Sequence, residues 1–181
     1  MGSPKLLLPL GGESIVRRTA RQLCESGFDE VLVVLGSELA GIAAALDGLP
    51  VRHAHNPDFA TGMGSSFRTA VEHLPAESEA ALFALADQPF VTSAEYKAIL
   101  DTWRLQRPPI VSSKFGEVTA PPHLFSRSLY PELAVFEHGA RPVLQRHTSA
   151  MVVLHFQADL LLDIDTPEDY ERATARVAAG R

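Results

Sequence analysis

Ala80-Ala81-Leu82-Phe83-Ala84-Leu85-Ala86-Asp87-Gln88-Pro89 decides the reading of this chain. Its apolar residues run without a break and stop at an acid. An unbroken run of that length suits a strand buried on both faces, as in parallel sheets covered by helices. Glu30-Val31-Leu32-Val33-Val34-Leu35, ending at Gly36, is another such run, and Met151 to Phe156 is a third. Shorter extended segments are expected at Val51 to His55, Ile110 to Ser113 and Leu160 to Ile164.

Helical patterns lie between them. Ser14 to Ser26 opens on a capping-type serine and stops before Gly27. Ser37 to Leu46 is Ala-rich and amphipathic, and Ser65 to His73 follows a glycine-bearing loop. Thr92-Ser93-Ala94-Glu95 matches a capping box and opens a helix to about Arg104. Gly139 to His147 reads as a further helix. Thr166-Pro167-Glu168-Asp169 combines an N-cap threonine, a proline at the first helical position and first-turn acids, and starts a helix to about Ala178. Strands alternating with helices imply an α/β fold, a mostly parallel sheet with helices on both faces. Arg107-Pro108-Pro109 and Ala120-Pro121-Pro122 read as turns bounding short strands.

Composition narrows the function classes. The 181 residues fit one domain, 1–181, with no repeat or linker. A chain of this size buries roughly 70% of the surface it exposes when unfolded. The 16 Lys and Arg against 22 Asp and Glu give a net charge of −6, with no basic cluster to bind nucleic acid. The single cysteine, Cys24, excludes an intrachain disulfide and a Cys-rich zinc site, and suits the cytoplasm. No apolar run approaches the ~20 residues of a membrane helix. The N-terminus has no signal-peptide pattern.

In open α/β sheets, ligands bind beyond the carboxyl ends of the strands. Asp87 falls at such an end. A carboxylate held there suits Mg²⁺, which prefers oxygen ligands and keeps waters and substrate phosphates in its shell. Asp is also common in turns, and spacing alone leaves both roles open. Asn56 to Ser66 joins a strand to a helix, with Gly62 and Gly64 free in backbone angle and Ser65 or Ser66 placed to cap. Such a junction offers backbone N–H groups to anions. Alternation puts Asp163 and Asp165 on one face of an extended segment, where they can complete a metal site. Glu168 and Asp169 read as helix-dipole partners. Lys5 is the only cation near the start of the chain, and spacing gives it no special role. His53 and His55 form an i, i+2 pair with no third ligand at suitable spacing, so strand-face histidines that are packed or hydrogen-bonded are the better reading. Cys24 reads as a structural thiol. No G-x-S-x-G elbow is present.

Five segments in order resemble one family. They are Met1 to Gly12, which is similar to the tail of an R-M-G-x-P-K-L-L motif; Asn56-Pro57 through Gly62-Met63-Gly64-Ser65-Ser66; Ala86-Asp87-Gln88-Pro89-Phe90; Gly139-Ala140-Arg141; and Asp163 to Asp169. Together they resemble the molybdenum cofactor cytidylyltransferases, relatives of the guanylyltransferases of the same pathway. The resemblance implies a three-layer Rossmann-like, nucleotide-diphosphosugar-transferase-like fold. It implies attack by the terminal phosphate of the molybdopterin cofactor on the α-phosphate of CTP, with release of pyrophosphate. By this resemblance Lys5 and Asp87 are catalytic, Asp87 and Asp165 hold Mg²⁺, and Gly62, Met63, Gly64, Ser65, Ser66, Gln88 and Pro89 bind substrate. Such transfer needs positioning and charge neutralisation, not a protein nucleophile.

The chain departs from the family at three places. Ala120-Pro121-Pro122 stands where the family has Gly-x-Pro, and Phe136-Glu137-His138 where it has Gly-Asp. The family also opens with a buried strand and a glycine-rich loop, L-A-A-G-x-S-x-R, about 15 residues that the chain given does not include. A start at an earlier codon is the favoured account; loss of the stretch, or a sheet repacked around Leu6 to Leu10, are the others. Without that strand two strand edges stand unpaired within the sheet, and the chain as given is expected to bind CTP poorly. Within the same class, a guanylyltransferase using GTP is the alternative. A carrier that binds molybdopterin cofactor and delivers it to a molybdenum hydroxylase is the non-catalytic one. A sugar-nucleotide pyrophosphorylase is a weaker third reading.

Overall fold

The computed structural model describes residues 4–135 and 139–180. Met1-Gly2-Ser3 and the Phe136-Glu137-His138 departure lie outside them. A short hairpin comes first, β1 (Pro9–Leu10) against β2 (Glu13–Ser14). Ser14 then caps α1 (Ile15–Cys24), its hydroxyl accepting from the Arg17 N–H at 3.4 Å. β3 (Val31–Leu35), α2 (Leu39–Ala45) and β4 (Val51–His55) follow. β3 and β4 pair in parallel, Val31 against Val51 through Leu35 against His55.

The next part holds α3 (Met63–His73), β5 (Ala80–Phe83), α4 (Ser93–Gln106), β6 (Ile110–Phe115) and β7 (Val118–Ser126). It closes with α5 (Tyr130–Val135), α6 (Arg141–Arg146), β8 (Met151–Phe156) and α7 (Pro167–Ala178). Four strands form a sheet in the order β5-β7-β6-β8, with β7 reversed against both neighbours and β6 parallel to β8.

Side-chain alternation builds three layers from this sheet. Phe83, Ile110 and Phe125 face α3, α5 and α6, with Phe67 stacked on Phe83 at 4.7 Å. Leu82, Val111 and Leu124 face the other way, onto Ile99, Leu100 and Trp103 of α4. The β3–β4 pair packs Leu35, Val33 and Val51 against α1 and α2.

Among the described residues β3 pairs only with β4, and β5 only with β7. Both line a cavity of about 1510 Å³, bounded by Val31 to Val34 and Ala80 to Ala86. α1 and α3 also line it, through Val16, Ala20, Phe67 and Ala70. Leu6 to Leu10 do not join either sheet. They fold into a 3₁₀ turn and the β1–β2 hairpin, and pack as satellites against α1 and α7.

Three extended segments differ from expectation. β5 stops at Phe83 rather than Ala86. Leu160 to Ile164 forms no strand, because Leu160 and Leu161 both turn into the Val91, Tyr96 and Phe115 cluster while Leu162 and Ile164 enter another. Adjacent residues sharing one cluster cannot follow the period of two. Ala120-Pro121-Pro122 is not a turn but the middle of β7. The β6–β7 register shifts between Ser112 and Lys114, opposite these prolines, and the β5 ladder ends at His123, so no ladder bond needs a proline N–H.

Candidate active site

Three separate segments converge on one ammonium. Lys5 Nζ donates to Asp87 Oδ2 at 2.6 Å and to Asp165 Oδ1 at 2.7 Å. Lys5 begins the 3₁₀ turn Lys5–Leu7, and Leu6 beside it is held in the apolar clusters of α1. That packing leaves the lysine head to reach outward. Partial burial opposes its charge, but the hydrogen bonds to Asp165 and Asp87 outweigh this and hold the ammonium above its usual range.

Asp87 stands four residues past the last residue of β5, in a turn. Its neighbours are pinned: Ala86 O accepts from Thr19 Oγ1 at 3.0 Å, and Pro89 O from Arg18 Nε at 3.1 Å. The Ile164 N–H donates to Asp87 O at 3.1 Å, which brings the second acidic segment alongside. Ile164 is fully buried, so Asp163 and Asp165 turn the other way. Asp165 meets Lys5. Partial burial lifts the Asp163 carboxyl above its usual range; a hydrogen bond with Gln88 works against this, and the charges on Asp87 and Asp165 add to it.

Asp169 fixes the turn into α7. Its carboxylate accepts from the Thr166 hydroxyl at 2.8 Å, the Thr166 N–H at 2.9 Å and the Asp165 N–H at 3.2 Å, and the Thr166 hydroxyl oxygen lies within reach of the Asp169 N–H. These bonds and the Arg172 partner hold its pKa well below the carboxylate range. Glu168 is exposed.

The glycine segment is organised from within. Asn56 is 1% exposed; its Nδ2 donates to Ser65 Oγ at 2.9 Å and Ser66 Oγ at 3.1 Å. Its Oδ1 accepts from the Asp58 N–H. Ser65 and Ser66 lie within α3 instead of capping it, because the helix starts at Met63 after Gly62; Ser65 is buried and donates onward to Gly62 O. Gly62 takes φ 118°, a region that favours glycine, and Gly64 is buried. Met63 stays exposed. Met63, Ser66 and Arg141 line the same cavity as Ala86.

Lys5, Asp87 and Asp165 are therefore brought together. Gln88 and Pro89 are buried, and Gln88 meets Asp163 rather than open solvent. Asn56 is the organising residue that spacing alone did not single out; its signals were its place directly after a strand and before proline, and its opening of one of the five family-like segments. His53 and His55 are exposed on β4, and no group of three or more His, Cys, Asp or Glu that could hold a metal occurs among the described residues. Cys24 is half-buried, and partial burial raises its thiol above the usual range. No helix among the described residues is long and apolar enough to cross a membrane.

An α/β sheet flanked by helices, with a lysine and carboxylates gathered past a strand end, is the framework of a nucleotidyltransferase. Residues 1–151 match the MobA-like NTP transferase domain. The chain belongs to that family. It is 31% identical over 141 residues to nicotine blue oxidoreductase of Paenarthrobacter nicotinovorans, covering 78% of this chain and 66% of that protein. It is 32% identical over 185 residues to the purine catabolism protein PucB of Bacillus subtilis, covering 94% and 88%. Among solved structures, the manganese complex of Rv0371c from Mycobacterium tuberculosis aligns with a TM-score of 0.81 at 26% identity, over 95% of this chain and 91% of that one.

Proposed function

We propose that the chain transfers CMP from CTP to the terminal phosphate of molybdopterin cofactor, with Mg²⁺ and release of pyrophosphate. The observation that carries this is the Lys5 ammonium shared by Asp87 and Asp165 beyond the carboxyl end of β5. Two carboxylates that converge on one point cation fit a small divalent ion, which takes one or two carboxylates and completes its shell with water and substrate phosphate. The manganese complex of Rv0371c supports the same reading. Such an ion supplies charge neutralisation on the triphosphate. The protein's own share is positional. Asp87 and Asp165 hold the ion, and Lys5 places positive charge beside the α-phosphate. The loop pinned by Asn56 presents Ser66 and the start of α3 to the cavity that Ala86, next to Asp87, also lines. No side chain forms a covalent bond with the nucleotide. A molybdenum hydroxylase would receive the product.

Pyrophosphate release from CTP or GTP, with Mg²⁺ and molybdopterin cofactor, tests this. Slow release from CTP, in keeping with the weak CTP binding expected of the chain as given, that Asp87→Ala abolishes is the expected result. Release from GTP alone assigns a guanylyltransferase instead. Cofactor binding without release from either nucleotide assigns a carrier and overturns the proposal.

A further inference from the structure

The ammonium of Lys5 lies where the proposed divalent ion would lie, and this inference rests on that reading. We propose that Lys5 is a stand-in cation: it neutralises Asp87 and Asp165 before the metal arrives, and metal entry displaces it into a neighbouring cavity, free to meet substrate. One lysine nitrogen within 2.7 Å of an oxygen from each acid occupies the space between them. A divalent ion bound to both oxygens would share that space with a like charge, so the two cations exclude each other. Without the stand-in, two carboxylates and the nearby Asp163 would face each other uncompensated.

The geometry also gives the displaced head somewhere to go. A second cavity of about 170 Å³ adjoins Lys5 and is lined by Pro4, Leu6, Ser37, Glu38 and Ile42. Only the side chain has to move, because Leu6 anchors the backbone in two apolar clusters. Lysine is suited to such a move. It is a compact charge on a flexible four-carbon stem, whereas arginine's planar fork would bind the acids bidentately. Metal loading thereby releases the charge that the α-phosphate needs, and a metal-free site keeps it locked.

Mn²⁺ binding to the purified chain without nucleotide, followed by the spin signal of free Mn²⁺, is the test. If the bridged form holds about 90% of molecules, apparent metal affinity is reduced about tenfold, so Lys5→Met should tighten Mn²⁺ binding by about that factor. Unchanged or weaker binding by Lys5→Met overturns the inference. Asp87→Asn, made in both backgrounds, separates the two readings. If it abolishes Mn²⁺ binding while Lys5→Met has no effect, the metal site stands and the stand-in fails. If it changes nothing in either background, the metal site itself fails. A second measurement needs no variant: amine acetylation read by mass spectrometry. Mn²⁺ should raise modification of Lys5 several-fold relative to Lys97 and Lys114, the other two lysines, which pair with Asp101 and Glu117. Equal labelling with and without Mn²⁺ overturns the displacement.

Discussion

His123 should make this protein lose stability between neutral pH and pH 4, and substituting it should remove that loss. The residue lies on β7, 4% exposed, and burial pushes its pKa down from 6.5 to about 4. The Ser113 N–H points at Nδ1 at 3.4 Å, and the Ser112 hydroxyl lies 3.1 Å from the same atom. A backbone N–H can only donate, so Nδ1 is the acceptor and the neutral ring carries its proton on Nε2. Protonating Nδ1 would set it donor to donor against the Ser113 N–H, while the Ser112 hydroxyl can rotate to accept. The folded pKa lies below the unfolded one, so the unfolded chain takes up the proton first as pH falls. Stability from this group is complete above about 6.5, declines down to about 4, and is constant below. At about 1.4 kcal/mol per pH unit, the full loss is about 3 kcal/mol, of which about 2 kcal/mol is gone by pH 5. Urea unfolding at pH 7.5 and pH 5 measures it. In His123→Asn the amide oxygen can still accept from Ser113, and the group no longer titrates. The stability difference between wild type and variant should shrink by about 2 kcal/mol on going to pH 5, since other groups titrate alike in both. An unchanged difference would refute the assignment of a buried neutral imidazole.

Gly36 has no room for a methyl group: a Cβ there would lie 2.6 Å from the Phe59 Cβ. Gly36→Ala should cost about 1–3 kcal/mol in urea unfolding, and a neutral Gly36→Ala would contradict this packing. Thr166→Ala removes the reciprocal cap with Asp169 and should destabilise α7 by about 1 kcal/mol; thermal unfolding indistinguishable from wild type would deny the cap a role. Backbone amides of β3 and β5 that face the cavity have no ladder partner among the described residues, and should exchange with deuterium faster than those facing β4 and β7. Uniform protection along either strand would show that the edges are paired in solution.

Much of this architecture was legible because the responsible signals are local. Ser14, Thr92 and Thr166 announce their helices through short-range caps that need no tertiary partner. The β3 and β8 runs are apolar enough to form strands in any sheet that covers both faces. β7 was hidden because prolines normally end strands, and only the irregular register of β6 and the short β5 ladder make room for them. Leu160 to Ile164 has the composition of a strand, yet its side chains are claimed by two clusters at once. The acids were visible as candidates, but sequence could not say which of them meets Lys5. Ile164 brings the segment to Asp87 through its N–H and its burial turns both Asp163 and Asp165 outward; Asp165 then meets Lys5 while Asp163 meets Gln88.

Asp87 also shows how the site is held. The sequence suggests an acid carried rigidly by the end of a strand. In the fold the ladder ends at Phe83, and the chain from Ala84 to Pro89 has no strand partner. What fixes Asp87 is a set of clamps: Thr19 and Arg18 from α1 on the carbonyls of Ala86 and Pro89, and Ile164 on the carbonyl of Asp87 itself. Each clamp is a single hydrogen bond, worth on the order of 1 kcal/mol to the fold. Their structural effect is larger than that energy, because no ladder would take their place. Thr19 is buried and points its hydroxyl at an acceptor beside the acid. The placement of the catalytic candidate is thus governed by α1 and the segment before α7 more than by the sheet. Substitutions on those two elements can disturb the Lys5–Asp87–Asp165 geometry while leaving the strands and their core intact.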